Sequence, residues 1–479
     1  MKNPVVIPTY PPNYEYPPSD YRNIHGRPSV TVSPKGLTLG TSEYFNDGAD
    51  FGPDTPGTST CGIQEAINAS NNILLLEGSY NPSVTITVAQ PTRIVGYGAT
   101  LTKVAGTEYY LFDFSGQAGN SIEGVTFDAN APNMTPDETL LTDGEPCIVY
   151  DVSSNYTKIL RCTFKNYKGL PILGALSNSQ IGTFALEVEV GWCEFYQNNP
   201  GSYSDYMDNI GFTSLGGSVH DNYLSIYAQE GIFLYESDDV ACYGNTVDVN
   251  GTYAGPGFTA NGISVGSCRG CLIFGNVVRL NVDSAVGIFI QQENDNTSSR
   301  SCVGNAFVGN TVRWTGASTN GVGVLIPSDA DTNVVNDNIF VGNLFINLNN
   351  VFTPPSTGTA ENNRFFNNLA PGLGSVWYTS LPPSTTMAVG NEGLNPQGFG
   401  LTTPSVPASG TAQANTFPFP VRVYLLTGGT ATAYTITDPS GNAETFSVTL
   451  TAGLEITLDP GASVTLTYTV APTWVWYGV

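Results

Sequence analysis

Carboxylates lie on both sides of a short alternating segment near the middle of the chain, EGIFLYES from Glu230. Glycoside hydrolysis needs two carboxyl groups about 5 to 10 Å apart, one to protonate the leaving oxygen and one to attack the sugar or activate water. Acids in turns between strands also serve as solvated caps or calcium ligands, so both interpretations stay open. The candidate catalytic acids are Glu230 and Glu236 as the first pair, followed by Asp208, Asp238 and Glu293.

The side chains that should point outward from this segment, and from a similar one at Val286, are large and mixed in polarity. Aromatic rings can stack on the apolar C–H faces of sugars, and an amide adds hydrogen bonds. The same rings would equally well pack beneath a loop or against a neighbouring subunit. The candidate substrate-binding residues are Phe233, Tyr235, Phe289, Gln291 and Tyr227.

Other reaction types have weaker support in the sequence. A lyase needs a base beside cations that stabilise the resulting anion, and His220, followed by Tyr223 and Tyr227, is the one plausible place for it. The pair Cys268 and Cys271 has no second pair to complete a zinc site, and no G-x-x-x-x-G-K-[ST] phosphate loop occurs. We therefore expect neither a metal nor another cofactor.

Internal repetition is the strongest structural pattern in the chain. Four segments align, each with a glycine followed by alternating residues, and one phase of each would form the interior of a solenoid. The segments are EGIFLYES from Glu230, NGISVGS from Asn261, VGIFIQQEN from Val286 and NGVGVLIPSD from Asn320. The predicted interior columns are Ile232, Ile263, Ile288 and Val322, then Leu234, Val265, Ile290 and Val324.

A second strand follows each segment and begins with a Gly-Asn pair. The four asparagines, 31, 34 and 33 residues apart, should stack about 4.8 Å apart as a ladder of amide hydrogen bonds. They are Asn245, Asn276, Asn310 and Asn343. Cys242 and Cys302 precede two such Gly-Asn pairs and should be equivalent buried thiols, with a Cys268 bridge to a neighbouring coil as the alternative.

The chain as a whole is predicted to be all-β. Its 479 residues include 53 glycines and only 12% charged residues, which is typical of many short strands joined by tight turns. We predict a right-handed parallel β-helix with a short N-terminal capping helix, followed by a C-terminal antiparallel β-sandwich. The expected parts are a Pro/Tyr-rich extended arm (1–43), the β-helix (44–385), a linker (386–420) and the sandwich (421–479).

The charge balance limits the partners. The formal net charge of −24 repels nucleic acid, anionic membranes and strongly anionic glycans, so a neutral or weakly charged polysaccharide is the expected ligand. No run of about 20 apolar residues predicts insertion into a membrane. The first residues lack the apolar stretch of a secretion signal, and we expect action outside the cell or on a virion surface.

The segment DGADFGPDT…CGIQEAI (47–67), followed by ILLLEGSY and IVGYGATL, resembles the entry region of pectate-lyase-like β-helix proteins of the bacteriophage and viral tailspike type. The resemblance covers roughly residues 44–370, and Glu77 stands where that family usually has proline. It implies a homotrimeric spike whose N-terminal arm attaches to a virion or tail and whose β-helix binds or cleaves a surface glycan. A non-catalytic adhesin, a structural virion protein and a polysaccharide lyase remain alternatives.

Overall fold

The structure is a computed structural model, and it describes residues 30–34, 49–107, 109–135, 146–167, 169–174, 184–197, 208–227, 229–251, 259–292, 301–316, 321–326, 334–353, 361–371, 376–378, 387–391, 403–417 and 419–478. Three long sheets of parallel strands, here called sheets A, B and C, form a right-handed parallel β-helix. Most coils contribute one strand to each sheet in that order. The predicted fold class is confirmed.

Sheet A has 13 strands. They are β1 (Val30–Val32), β2 (Asn72–Leu75), β5 (Arg93–Val95), β9 (Ser121–Glu123), β13 (Lys158–Leu160), β16 (Glu189–Gly191), β19 (Ser218–His220), β22 (Ala241–Tyr243), β25 (Leu272–Phe274), β29 (Ala306–Val308), β33 (Ile339–Val341), β36 (Arg364–Phe366) and β38 (Met387–Val389).

Sheet B has 10 strands. They are β3 (Gly78–Tyr80), β6 (Ala99–Thr102), β10 (Thr126–Asp128), β14 (Thr163–Tyr167), β17 (Glu194–Gln197), β20 (Tyr223–Ile226), β23 (Thr246–Val249), β26 (Val277–Leu280), β30 (Thr311–Trp314) and β34 (Leu344–Ile346).

Sheet C has 11 strands. They are β4 (Ile86–Thr87), β8 (Phe112–Asp113), β12 (Ile148–Tyr150), β15 (Ile172–Gly174), β18 (Asp208–Phe212), β21 (Glu230–Tyr235), β24 (Asn261–Gly266), β27 (Val286–Gln291), β31 (Val322–Leu325), β35 (Asn350–Thr353) and β37 (Val376–Tyr378). Two short pairs lie between the sheets, β7 (Gly106–Thr107) with β11 (Met134–Thr135) and β28 (Cys302–Val303) with β32 (Val335–Asn336), and a 3-10 helix spans Ala131–Asn133.

The interior is filled by like residues stacked from coil to coil. In sheet C the register places Ile232, Ile263 and Ile288 side by side, as predicted. The fourth predicted member is wrong, because Val324 and not Val322 lies beside Ile288. The segment NGVGV offers two Gly-Val steps, and the second glycine, Gly323, occupies the crowded position, where an added Cβ would lie 2.5 Å from a backbone oxygen.

The predicted asparagine ladder is confirmed and is longer than predicted. Each side-chain amide before the last one donates to the side-chain oxygen of the asparagine in the next coil, for example Asn245 to Asn276 at 2.9 Å. Because all of these amides are buried, leaving any of them unpaired would be costly. The ladder runs through Asn222, Asn245, Asn276, Asn310, Asn343, Asn368 and Asn391, and a second one joins Asn305, Asn338 and Asn363.

All eight cysteines are free thiols, and seven of them are buried. The predicted equivalence of Cys242 and Cys302 is wrong, because Phe307 follows Ile273 in the Cys242 column. The chain carries two Gly-Asn pairs five residues apart, at 304–305 and 309–310, and the second one continues the ladder. Cys302 instead lies in β28, one coil beyond Cys268.

The N-terminal end carries the predicted capping helix, α1 (Ile63–Ala69), which buries Ile63 and Ile67 against β1, β2 and β4. The hydroxyl of Thr60 accepts a hydrogen bond from the backbone amide of Gln64 and closes the first turn. The predicted arm boundary is wrong, because β1 pairs with β2 as the first strand of sheet A. Val30 and Val32 are β-branched residues suited to that sheet, while residues 1–29 lie outside the described part.

The C-terminal sandwich has two antiparallel sheets around its own core. Sheet D contains β39 (Ala412–Ala414), β44 (Ser463–Tyr468), β41 (Ala431–Thr437) and β42 (Ala443–Phe446), and sheet E contains β43 (Glu455–Leu458), β40 (Val421–Thr427) and β45 (Thr473–Gly478). The predicted linker 386–420 is too long at both ends, because β38 continues sheet A and β39 pairs with β44. Both strands are short and flanked by polar residues, which hid them in the sequence.

Candidate functional site

Asp208 and Glu230 begin the neighbouring strands β18 and β21, and the strand register places them side by side. The two residues are one coil apart and level with each other along their strands. Neighbouring strands lie about 4.8 Å apart. Both side chains are buried, with 8% and 3% of their surface exposed. The structure thus brings two of the five candidate acids together at one end of β21.

Glu236 and Asp238 lie beyond the opposite end of β21. Six residues of extended chain separate Glu230 from Glu236, which corresponds to about 20 Å between their Cα atoms at 3.3 Å per residue. That separation is well beyond the spacing of a hydrolase pair, so the favoured partner of Glu230 is Asp208. Glu293, the remaining candidate acid, lies outside the described residues.

A buried network that the sequence did not reveal fixes this end of the strands. The side-chain amide of Asn209 donates to the backbone oxygen of Glu230 at 3.0 Å, and its oxygen accepts from the Tyr167 hydroxyl. In the later coils the equivalent position is a glycine that has no room for a side chain, such as Gly231. The sequence carried one sign of this network, because Asn209 stands at a position where the later coils have glycine. The same difference hid the alignment of DNIGF with EGIFL.

The candidate sugar-binding residues lie on the outer face of sheet C. The Phe233 and Tyr235 rings are 5.4 Å apart and tilted by 53°, and the register runs from Phe233 through Ser264 to Phe289. The Ser264 hydroxyl is buried between the two phenylalanine positions and has no hydrogen-bond partner among the residues that the structure describes. The four candidates of this face, Phe233, Tyr235, Phe289 and Gln291, are half-buried.

Tyr227 lies at the corner that leads from sheet B to sheet C. Its backbone amide donates to the Gln197 side chain at 2.8 Å. Its ring packs over Gly251 of the next coil, where a Cβ would lie 2.6 Å from the ring. Three residues separate Tyr227 from Glu230, so it belongs to the same end of sheet C as the acid pair.

His220 lies on the outer side of sheet A, away from these residues. Its Nε2 contacts the Glu189 carboxylate at 3.2 Å, its Nδ1 contacts Asp221 at 3.0 Å, and its ring stacks on Tyr243 at 4.9 Å. Burial disfavours the imidazolium, but the hydrogen bonds to Glu189 and Asp221 outweigh it and raise the pKa of His220. A buried histidine with both nitrogens occupied is poorly placed to act as the base of a lyase.

Within the described ranges, no three His, Cys, Asp or Glu residues are arranged to hold a metal ion. No described helix is long and apolar enough to cross a bilayer.

No protein-family model matches the chain, and no curated protein matches its sequence. Among solved structures, the Dettilon tailspike protein has a TM-score of 0.50 at 10% identity, over 89% of this chain and 92% of that one. The surface adhesin PfbA of Streptococcus pneumoniae has a TM-score of 0.48 at 12% identity, over 70% and 91%. The catalytic unit of a thermostable α-1,3-glucanase from Streptomyces thermodiastaticus has 0.48 at 15%, over 77% and 70%.

At such identities the likeness is one of fold. It bears out the right-handed parallel β-helix fold that the resemblance implied.

Proposed function

We propose that this protein binds a neutral or weakly charged cell-surface polysaccharide and hydrolyses it with Asp208 and Glu230 as the catalytic pair. The observation that carries the proposal is their position side by side in the register of β18 and β21. Strands about 4.8 Å apart allow their carboxyl groups to reach the short separation that suits a double displacement, in which one attacks the anomeric carbon and the other protonates the leaving oxygen. The carboxylate that protonated the leaving oxygen then activates a water molecule, which cleaves the glycosyl-enzyme ester.

The aromatic face of sheet C supports polysaccharide binding beside this pair. Phe233 and Tyr235 lie three and five residues beyond Glu230 on the same strand, about 10 to 17 Å away at 3.3 Å per residue. That distance corresponds to sugar units bound on one side of the cleaved bond. Phe289 and Gln291 would extend the binding face over two further coils.

The first test is to incubate the full chain with bacterial surface polysaccharides and to measure new reducing ends together with the ultraviolet absorbance of unsaturated products. We expect reducing ends without that absorbance, and Asp208→Asn or Glu230→Gln should each lower the rate at least about 100-fold. Asp239→Asn, which changes an exposed acid on the turn after β21, is the matched control.

The alternatives give different results in the same assay. Absorbance in place of plain reducing ends would identify a lyase and overturn the proposed pair. Binding without any product, on glycans that the protein demonstrably retains, would identify an adhesin. Loss of hydrolysis in Glu236→Gln but not in Glu230→Gln would move the site to the other end of β21.

We also propose that the protein forms a homotrimeric spike at a virion or other extracellular surface. A contiguous apolar stripe on the outer side of sheet A supports self-association, since exposed patches of a few hundred Å² mark protein contacts. Equivalent positions in earlier coils carry charges such as Lys158 and Glu189. The stripe comprises Leu272, Phe274, Ala306, Val308, Ile339, Val341 and Phe366.

The stripe is also flat at one edge. Gly275, Gly309 and Gly342 turn the chain there in the left-handed conformation, and the space where a side chain would stand is empty. A second copy of an acidic chain could approach this strip, which ends at Arg364 beside Ile339, without opposing carboxylates.

Sedimentation measures the assembly directly. We expect a trimer, and we expect Val308→Asp with Val341→Asp to yield monomers. Thr311→Asp, on sheet B near Val308, should leave the trimer intact. A monomeric native protein, or a trimer that tolerates both aspartates, would refute assembly through the stripe. Attachment through the Pro/Tyr-rich arm, which lies mostly outside the described residues, is tested by deleting residues 1–29 and measuring incorporation into particles.

A further inference from the structure

The two outer faces of the C-terminal sandwich differ sharply in chemistry. Sheet D presents only small residues in the outward phase of its strands, namely Ala412, Ala414, Ala433, Thr435, Thr437, Ala443, Thr445, Ser463, Thr465 and Thr467. Sheet E presents Arg422, Tyr424, Leu426, Glu455, Thr457, Thr473, Val475 and Tyr477. The aromatic and charged side chains of the outer surface are thus concentrated on one sheet.

The two tyrosines form a diagonal pair on sheet E. Tyr424 of β40 lies opposite Val475 of β45, and Tyr477 lies two residues further along β45, opposite Arg422. Diagonal neighbours in antiparallel sheets are about 7 to 8 Å apart. Their side chains are 38% and 50% exposed, far more than a core aromatic, so the rings are available for stacking.

A polar pair lies beside the rings. The Arg422 Nε donates to the Glu455 carboxylate at 3.1 Å, and both side chains are about half exposed. Exposed ion pairs contribute little to stability, about 0 to 1 kcal/mol. What the pair does provide is a fixed set of donors and acceptors next to two aromatic platforms, which is the combination that recognises sugar hydroxyls and sugar rings together.

We propose that the outer face of sheet E is a second carbohydrate-binding site, separate from the acid pair of the β-helix, and that it takes two or three units of a neutral polysaccharide. Three strands about 4.8 Å apart and about five residues long cover roughly 200 Å². A stable protein interface needs about 800 Å² per partner, so the face fits a short stretch of glycan better than a second protein.

The test is affinity electrophoresis of the full chain in gels that contain mannan, galactan, a soluble β-glucan or a soluble α-glucan. To isolate this face, the chain carries Phe233→Ala and Phe289→Ala in the β-helix. We expect retardation on at least one glycan. Tyr424→Ala with Tyr477→Ala should raise the apparent Kd at least 10-fold, while Tyr424→Phe with Tyr477→Phe should retain binding because the rings remain.

Matched controls separate binding from folding. Thr435→Ala with Thr465→Ala alters the outer face of sheet D and should leave retardation unchanged. The proposal would be overturned if the variant with Tyr424→Ala and Tyr477→Ala ran as slowly in the glycan gels as the chain that keeps both tyrosines. Retardation on none of the four glycans would also overturn it. Hydrolysis by Asp208 and Glu230 is measured separately on short soluble oligosaccharides and should be unaffected by the tyrosine changes, so failure of one proposal is distinguishable from failure of the other.

Discussion

Asp208 is the register neighbour of Glu230, one coil away on the parallel strand β18. Twenty-two residues separate them in sequence, and the solenoid brings them to the spacing of adjacent strands. The hydrolysis proposed for this pair should retain the anomeric configuration, because inverting hydrolases hold their carboxyl groups further apart to admit a water molecule.

We therefore expect retention of the anomeric configuration. Proton NMR of the first product formed from a defined oligosaccharide measures it before mutarotation. Azide should rescue the alanine variant of the nucleophile and form a glycosyl azide of inverted configuration, whereas the alanine variant of the acid–base residue should form one of retained configuration, which assigns the two roles. Inversion of configuration would contradict the proposed pair.

Asn209 should act as a positioning residue for Glu230. Replacing it by glycine, the residue of the equivalent position in the next coil, removes the amide that bonds the Glu230 backbone but leaves room for the strand. We expect kcat to fall about 10-fold with KM nearly unchanged, since the binding face is untouched. If Asn209→Gly lowers the free energy of unfolding but leaves kcat unaltered, Asn209 has a structural role alone.

His220 should make stability depend on pH. Its pKa is raised in the folded chain, so its contribution is complete below the unfolded pKa and is lost as the pH rises through the folded one. Burial opposes the charged form of Glu189, but bonds to His220 and Lys158 outweigh it and lower its pKa; that contribution disappears in acid.

The stability difference between the native chain and His220→Asn should therefore be largest near pH 5 to 6 and should shrink toward pH 9. Urea unfolding at each pH measures it. A difference that stays constant from pH 5 to 9 would show that the ring stacking on Tyr243 and not the charge is responsible.

Asn276 should be among the most sensitive positions of the ladder. Its side-chain oxygen accepts from both the backbone and the side-chain amide of Asn245, and its own side-chain amide donates to the backbone oxygen of Cys242 and the side-chain oxygen of Asn310. Asn276→Ala leaves several buried groups unpaired and should cost about 3 to 5 kcal/mol. The exposed Asn281→Ala should cost less than about 1 kcal/mol. Urea unfolding measures both variants. If Asn276→Ala and Asn281→Ala lower the free energy of unfolding equally, the ladder has no special role in stability.

The thiols should be inert in the native protein. Burial raises the pKa of Cys193, Cys242 and Cys268, and a thiol reacts as its thiolate. A chromogenic disulfide reagent should label at most the partly exposed Cys61 of the eight cysteines until the chain is unfolded. Rapid labelling of several thiols without denaturant would contradict the packing.

The sequence was sufficient for the architecture because solenoid strands repeat their own alternation. Ile232, Ile263 and Ile288 stand at matching positions after a glycine, and the asparagines mark the turn in each coil. Where the pattern offered two registers, as at Gly321 and Gly323, the alignment failed, since only packing against the next coil selects between them.

The acid pair was harder to predict for a different reason. Asp208 precedes an asparagine where the repeat has glycine, so its strand did not align with that of Glu230. Proximity along the chain favoured Glu236 instead, although an extended strand carries it away from Glu230. Sites on a solenoid are assembled across coils, and the sequence alone does not state which residues become neighbours in that direction.

The asparagine ladder has a mechanical consequence. Its amide bonds run from coil to coil, along the direction in which the solenoid grows. Pulling the rod lengthwise must therefore stretch backbone and side-chain bonds together, whereas bending it strains them unequally from one side to the other. Such a rod should be stiff under tension and compression, and it should carry a load from end to end without the coils sliding past one another.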